Sequence, residues 1–443
     1  MKFQDVKSQI VRSVRQCMNA REFSPSVGVL SLCLFALLST IFAVSPIRLP
    51  TDSRWSVHTA LSFARGHGGD LTEFLPIIEK EKFYAIEARD GHVRSRYPIG
   101  TSLLVAPAVG LIAVASPAWA EELHTTIPAR TEQMLASLIG AMTCVVFFWA
   151  VFQSFRSVPV ALFSALILGL STSVWSTATR ALWQHGPLIL MLSIAMLLLI
   201  RAREKPAIVQ FASLPLIAGY VIRPTGIVPL GILSLYVLLY YRAWVPRYVA
   251  WALLISIPWV LYNFSIYGTP LSPYYVGEAF TSQTHFAEGL LGNLFSPSRG
   301  LFVYSPVLLF AVSGFVIALL SEERRPFVVA LASIVVAHMI IVGSASMWWA
   351  GHSFGPRFTT DILPILVYFT AFNFRLPESL PRRLQHLVSS LIVVLAVVSA
   401  LIHAQGAIRY GTWQWNYMPD SIDDHPSRAW DWTDPQFARK LRN

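Results

Sequence analysis

The stretch SVGVLSLCLFALLSTIFAVSPIRLPTDSRW, Ser26 to Trp55, decides how the chain is read. Its first part, 26–46, carries no charged residue, and roughly 20 helical residues are what a bilayer core of about 30 Å requires. Before it lies a tail bearing Lys2, Lys7, Arg12, Arg15 and Arg21, the basic flank that stays on the cytoplasmic side. After it comes Thr51-Asp52-Ser53-Arg54-Trp55, which pins an acid near the membrane surface. With no clear small-residue cleavage site, the first helix is expected to be a retained signal anchor.

The same pattern recurs along the chain. Of 443 residues, 54% are hydrophobic and 13% charged, against about 25% charged in soluble domains. That balance excludes a soluble domain, and the recurrent apolar runs exclude disorder, collagen and coiled coil. Cys17, Cys33 and Cys144 lie in the basic tail and in two apolar segments, so no disulfide framework is expected. A net charge of +10 would suggest nucleic-acid binding in a soluble protein. Here topology explains it, and nucleic acid is not an expected partner.

Eleven apolar segments read as spans: 26–46, 131–153, 158–175, 187–202, 206–222, 225–241, 248–266, 301–320, 326–346, 359–374 and 386–405. If a twelfth, 100–120, does not cross, the inner loops hold 16 basic against 6 acidic residues and the outer ones 18 against 18. Basic loops stay inside, so 100–120 is expected as a juxtamembrane helix within one long outer segment, 47–130. The other arrangement has 100–120 crossing and a weaker span such as 206–222 lying on the surface. The expected fold is an all-α polytopic membrane protein, a bundle of about eleven helices. It comprises a cytoplasmic tail (1–25), a membrane domain (26–405) with outer loops at 47–130, 176–187, 267–300 and 347–358, and an extracytoplasmic tail (406–443).

Polar chemistry collects on the outer side. Asp52 suits a general base, or is a solvated residue or the N-cap of a helix starting near Arg54. Asp90-Gly91-His92 has the look of a turn. Arg94 and Arg96, before Tyr97-Pro98-Ile99-Gly100-Thr101, suit lipid phosphates or snorkelling anchors. The loop Thr177 to Pro187 brings Arg180, Trp183 and His185 together, and Arg223-Pro224-Thr225-Gly226 makes a tight outer turn. Charges at membrane depth usually face a polar cavity, and an arginine fork pairs with phosphate oxygens. His185 is as readily a structural histidine. In the stretch Met347 to Phe358, which includes Trp349 and His352, Arg357 serves phosphate or an ion pair with Asp361 or Glu278. Tryptophans at the interface form a belt by default, with sugar stacking as the other role for a few. Asp423-Asp424-His425 reads as a solvated turn, and neither a metal-ligand spacing nor a nucleotide fingerprint is present.

In this order, Asp52 just after the first helix, the long first loop with Tyr97-Pro98-Ile99-Gly100-Thr101, and the polar loop Arg180 to His185 resemble the GT-C superfamily of membrane glycosyltransferases. The likeness is to bacterial protein O-mannosyltransferases and the lipid A aminoarabinose transferase in particular. The resemblance implies a GT-C-like bundle and inverting transfer of a sugar from a polyprenyl-phosphate donor to a glycan, lipid or protein acceptor on the outer side of a bacterial inner membrane. It implies Asp52 as general base and Arg180, Arg223 and Arg357 on the donor phosphate, with Arg94 and Arg96 as further candidates there. Tyr97, Trp183, His185, Glu278, Trp349 and His352 are the candidates for substrate contact, with no metal or cofactor. Many relatives carry a second acid beside the first or in the later loop, whereas Ser53 follows Asp52 here. From a different class, a transporter or flippase of lipid-linked sugars remains the second expectation.

Overall fold

Apolar, uncharged runs leave the backbone as its own hydrogen-bonding partner, and the chain is accordingly almost wholly helical. The computed structural model describes residues 25–82, 84–276, 286–320, 325–375 and 381–442. The protein is an all-α polytopic membrane protein.

Its long helices are α1 (Pro25–Val44), then, after the first loop with α2 (Ser56–Ala64) and α3 (Gly100–Ala115), α4 (Ala129–Phe155) and the shorter α5 (Val158–Leu170). There follow α6 (His185–Ala202), α7 (Ser213–Ile222), α8 (Ile227–Tyr240), α9 (Val245–Tyr267), α10 (Phe310–Leu320), α11 (Arg325–Gly343), α12 (Leu363–Ala371) and α13 (Arg382–Ile408).

Six helices among the described residues are long and apolar enough to cross a membrane unaided: Ser26–Val44, Ala129–Phe155, His185–Ala202, Arg242–Tyr267, Arg325–Gly343 and Arg382–Ile408. The expected segments 158–175, 206–222, 225–241 and 301–320 are shorter apolar helices instead. Proline accounts for three of these, since Pro206, Pro224 and Pro306 each open a turn of 3-10 helix ahead of the α-helix. In the fourth, α5 ends at Ser171-Thr172-Ser173 and the chain makes a π turn over Val174–Ala178. The segment 359–374 is also broken, 3-10 over Phe358–Ile362 and then α12, every residue of which is buried. Burial separates centre from rim: the apolar windows of α4 and α6 are 72% buried, those in Arg242–Tyr267 and α13 only 11% and 22%.

One apolar core joins α1, α4, α5, α6, α8, α10, α11 and α12. A second core, around Trp55, Leu71, Phe74, Val105, Leu182 and Ile222, lies under the first loop. That loop also holds the strands β1 (Ile86–Arg89) and β2 (His92–Ser95), paired antiparallel with Arg89 opposite His92. Asp90 and Gly91 between them both have positive φ, as a two-residue hairpin turn demands. The 16-residue α3 packs along α2, and at 1.5 Å per residue it reaches only about 24 Å. Its first residue, Gly100, touches the end of α7 so closely that a Cβ there would lie 2.6 Å from the Ile222 Cα.

Candidate active site

Three chain reversals at one end of the bundle bring the site together. The first follows α1. Leu49 donates its N–H to the Arg180 carbonyl, and Arg54 closes a turn onto the Thr51 carbonyl. Ser53 Oγ then donates to the buried Glu132 at 2.6 Å, which turns Asp52 away from the bundle toward a cleft. Helix α2 begins only at Ser56, behind Trp55, so Asp52 is not its N-cap. The second reversal is Arg223, extended at φ −153° as the residue before a proline tends to be. The third is the loop before Arg357, where Gly355 has φ +63° and lies against Tyr304, a backbone region that favours glycine. The Gly355 N–H donates to Gln436 Oε1 at 3.1 Å, tying this loop to the C-terminal tail.

Between these reversals is a cleft whose wall includes Asp52, Tyr97, Trp183, Gln184, Arg223 and Arg357. Arg357 forms an ion pair with Asp52, not with Asp361. Its guanidinium lies over the Trp183 ring, 4.1 Å from the centroid, and its Nε donates to His185 Nε2 at 3.3 Å. The opposite ring nitrogen of His185 meets Asp361 Oδ1 at 2.6 Å. Asp361 Oδ2 accepts from Arg223 Nε at 2.9 Å and from Thr225 Oγ1 at 2.8 Å. Arg223 Nη1 reaches Gln184 Oε1 at 3.4 Å. A single chain of contacts thus runs Asp52, Arg357, His185, Asp361, Arg223, its middle members His185 and Asp361 buried behind the cleft and outside its lining.

Burial pushes the Asp52 carboxyl up, but the charge of Arg357 and the hydrogen bonds from Arg357, Tyr84 and Tyr97 outweigh it and leave the group below its ordinary value. Tyr84 donates to Asp52 Oδ1 at 3.0 Å; burial and the Asp52 charge push its phenol up to about 12. Tyr97 is raised further, by burial first and Asp52 second. Burial lowers Arg357 while Asp52 raises it, with a net rise.

The remaining expected residues lie elsewhere. Arg180 is fully buried away from the cleft lining. Its guanidinium donates to the carbonyls of Phe42 (2.6 Å), Ser45 (3.2 Å) and Ile47 (3.4 Å) and to Thr179. It therefore caps the Phe42 carbonyl in the last turn of α1 and satisfies those of Ser45 and Ile47 in the segment that follows. Arg94 stands opposite Glu87 in the hairpin and Arg96 is exposed; neither lines the cleft. Trp349 donates to Asp423 Oδ1 at 2.8 Å, and His352 meets Ser421 and packs against the Tyr417 ring at a tilt. These two residues hold the tail; Asp423, Asp424 and His425 are exposed in a turn, as expected, and Asp423 also accepts from Trp349 there. Glu278 lies outside the described residues.

The cleft lining also contains residues that sequence reasoning missed, Gln184 and Tyr274, the latter packed on Tyr97 with centroids 5.4 Å apart, and the exposed Tyr84 bonds Asp52 from outside that lining. Asp361, considered only as a partner for Arg357, is the joint between both arginines. An acid inside an apolar span was the available signal for it. Beside the cleft, Arg299 is fully buried, with donors on Trp349, Ser298, Gln436, Gly351 and Asn416. Among the described residues, no group of three or more His, Cys, Asp or Glu gathers as a metal would need.

Neither a protein-family model nor a curated protein matches the chain. Among solved structures, it is similar to ArnT from Cupriavidus metallidurans, solved bound to undecaprenyl phosphate. The likeness has a TM-score of 0.51 at 14% identity and covers 87% of this chain and 72% of that one. At such identity the likeness concerns the fold alone: the chain shares the helical membrane fold of that protein over most of its length.

Proposed function

We propose that the protein is a glycosyltransferase of GT-C type, which moves a sugar from a polyprenyl-phosphate-linked donor to a glycan, lipid or protein acceptor at the extracytoplasmic face of a bacterial inner membrane. The observation that carries this reading is a single cleft in which one carboxylate, Asp52, and two arginines, Arg223 and Arg357, meet beside aromatic rings. The undecaprenyl phosphate named for the similar structure agrees with it.

In this reaction the acceptor hydroxyl gives its proton to Asp52 as its oxygen bonds to the anomeric carbon. The bond from that carbon to the phosphate oxygen breaks, and its electron pair leaves with the phosphate. Arg223 and Arg357 meet the developing charge, as fixed donors do in a site screened from water. Attack from the face opposite the phosphate inverts the anomeric centre, through an oxocarbenium-like state comparable to that of glycoside hydrolysis. Tyr97 and Tyr274 supply the walls for a sugar ring, while Trp183 and His185 hold Arg357 in place.

The test is transfer by reconstituted protein from a panel of radiolabelled polyprenyl-phosphate sugars into membrane extract, wild type beside Asp52→Asn. Label is expected to reach an extractable product with wild type, and the variant to lose about 10²- to 10⁴-fold in rate while still binding donor. Full turnover in the variant refutes the role of Asp52. A labelled lipid that only changes leaflet in sealed vesicles replaces the transferase with a flippase.

A further inference from the structure

The charges described around the cleft are balanced two against two: Arg357 is paired with Asp52, and Arg223 with Asp361. The two acids are held differently. Asp361, its side chain 3% exposed, accepts from His185, Arg223 and Thr225 together. Asp52, 23% exposed on the cleft wall, has Arg357 and the Tyr84 hydroxyl. A glycosyl phosphodiester brings one further negative charge into this balanced set. Of the two acids, Asp52 is the more exposed and the less enclosed by partners, so it gives up its arginine at the smaller cost.

As found, Asp52 is also poorly placed to act as a base. Its oxygens face a guanidinium, and an opposite charge at contact suppresses proton affinity. Resting on the transferase reading, we propose that the donor's own phosphate activates the base: the phosphate draws Arg357 off Asp52, and the released carboxylate becomes able to take the acceptor's proton. Donor therefore binds productively before acceptor, and the base stays masked while the cleft is empty. Arg357 needs only to redirect its fork, since its plane already rests on Trp183 at the cleft wall.

The groups facing Asp52 are Arg357 from the loop before α12, Tyr84 and Tyr97 from the first loop, and Tyr274 from the segment after α9. Of these, Arg357 alone is charged at neutral pH. Once it turns to phosphate, burial is the largest influence left on the carboxyl, and burial raises it. A ligand shifts such an equilibrium only through its different affinity for the two arrangements. A phosphodiester has that difference where it takes the Nη2 donor that Asp52 holds in the empty cleft.

Two measurements test this. The acid limb of kcat, which reports the donor-bound enzyme, is expected about one pH unit or more above that of kcat/KM for donor, which reports the free enzyme. Coincident limbs overturn the proposal. Second, a short-chain prenyl methyl phosphodiester, which does not titrate near neutrality, is bound at about pH 5.5 in buffers of different ionisation enthalpy. Wild type is expected to take up a proton on binding, and Asp52→Asn to bind without uptake, the comparison subtracting any contribution from His185. Binding by wild type with no uptake, or equal uptake in both proteins, overturns base release and leaves the transferase reading intact. Failure of wild type to bind the diester overturns the donor reading itself, and base release with it.

Discussion

Replacing Arg223 by lysine keeps the charge and removes the fork. In the structure Arg223 Nε is committed to Asp361 Oδ2 (2.9 Å) and Thr225 Oγ1 (3.0 Å), with Nη1 extended toward Gln184 at the cleft. An ammonium is one point: it can serve Asp361 or a phosphate oxygen, but lacks the geometry to bridge both. The side chain is 12% exposed, so water makes up little of the deficit. Losing one charge-assisted hydrogen bond, about 1.5–3 kcal/mol, predicts roughly 10- to 150-fold weaker binding of a prenyl phosphodiester. Titration calorimetry in detergent reads this directly. Arg180→Lys is the control, because Arg180 donates to carbonyls at the end of α1 and lies off the cleft. It is expected to lower the melting temperature and leave donor affinity unchanged. If Arg223→Lys binds within twofold of wild type, or if both variants lose affinity alike, the assignment of Arg223 to the phosphate is wrong.

Two further outcomes are expected. Gly100→Ala puts a Cβ 2.6 Å from the Ile222 backbone; such overpacking costs about 1–3 kcal/mol. Because Arg223 follows directly, the substitution should lower the melting temperature and donor affinity together, and a change in neither would show that α3 moves freely. Asp70, though burial raises it, is drawn down to about 2 by hydrogen bonds from Thr72, His92 and Val93. A carboxyl depressed in the folded state stabilises above its unfolded value, so about 2 kcal/mol is present above roughly pH 4 and fades toward pH 2. Acid melting curves of wild type and Asp70→Asn should therefore converge on acidification, and a constant gap would refute the linkage.

The positions of most membrane helices were legible because a charge-free run of sufficient length has few other destinies. Less legible was their continuity: prolines 206, 224 and 306 shorten helices that hydropathy alone reads as full spans. Asp52, Arg223 and Arg357 could be nominated from position, but not their partners. The spacing of Arg357 and Asp361 suggests a pair one α-turn apart, yet Phe358–Ile362 is 3-10 helix, in which residues three apart align instead. Asp52 and Arg357 meet across 305 positions, and no local pattern encodes that. Arg180 misleads for a related reason. A charge beside a span advertises a polar cavity, but carbonyls at a helix end satisfy it equally well.

Gln436 joins the Gly355 N–H, the Ser353 and Thr412 carbonyls and Arg299. It is translated 81 residues after the loop it secures, and later than α13, which ends at Ile408. During biosynthesis the membrane helices found among the described residues can thus all be inserted before the loop carrying Arg357 acquires its brace. An insertion intermediate holding those helices could already pair Arg357 with Asp52 and His185 but would lack the brace on the loop before it, so the last adjustment of the cleft waits for residues 410–436.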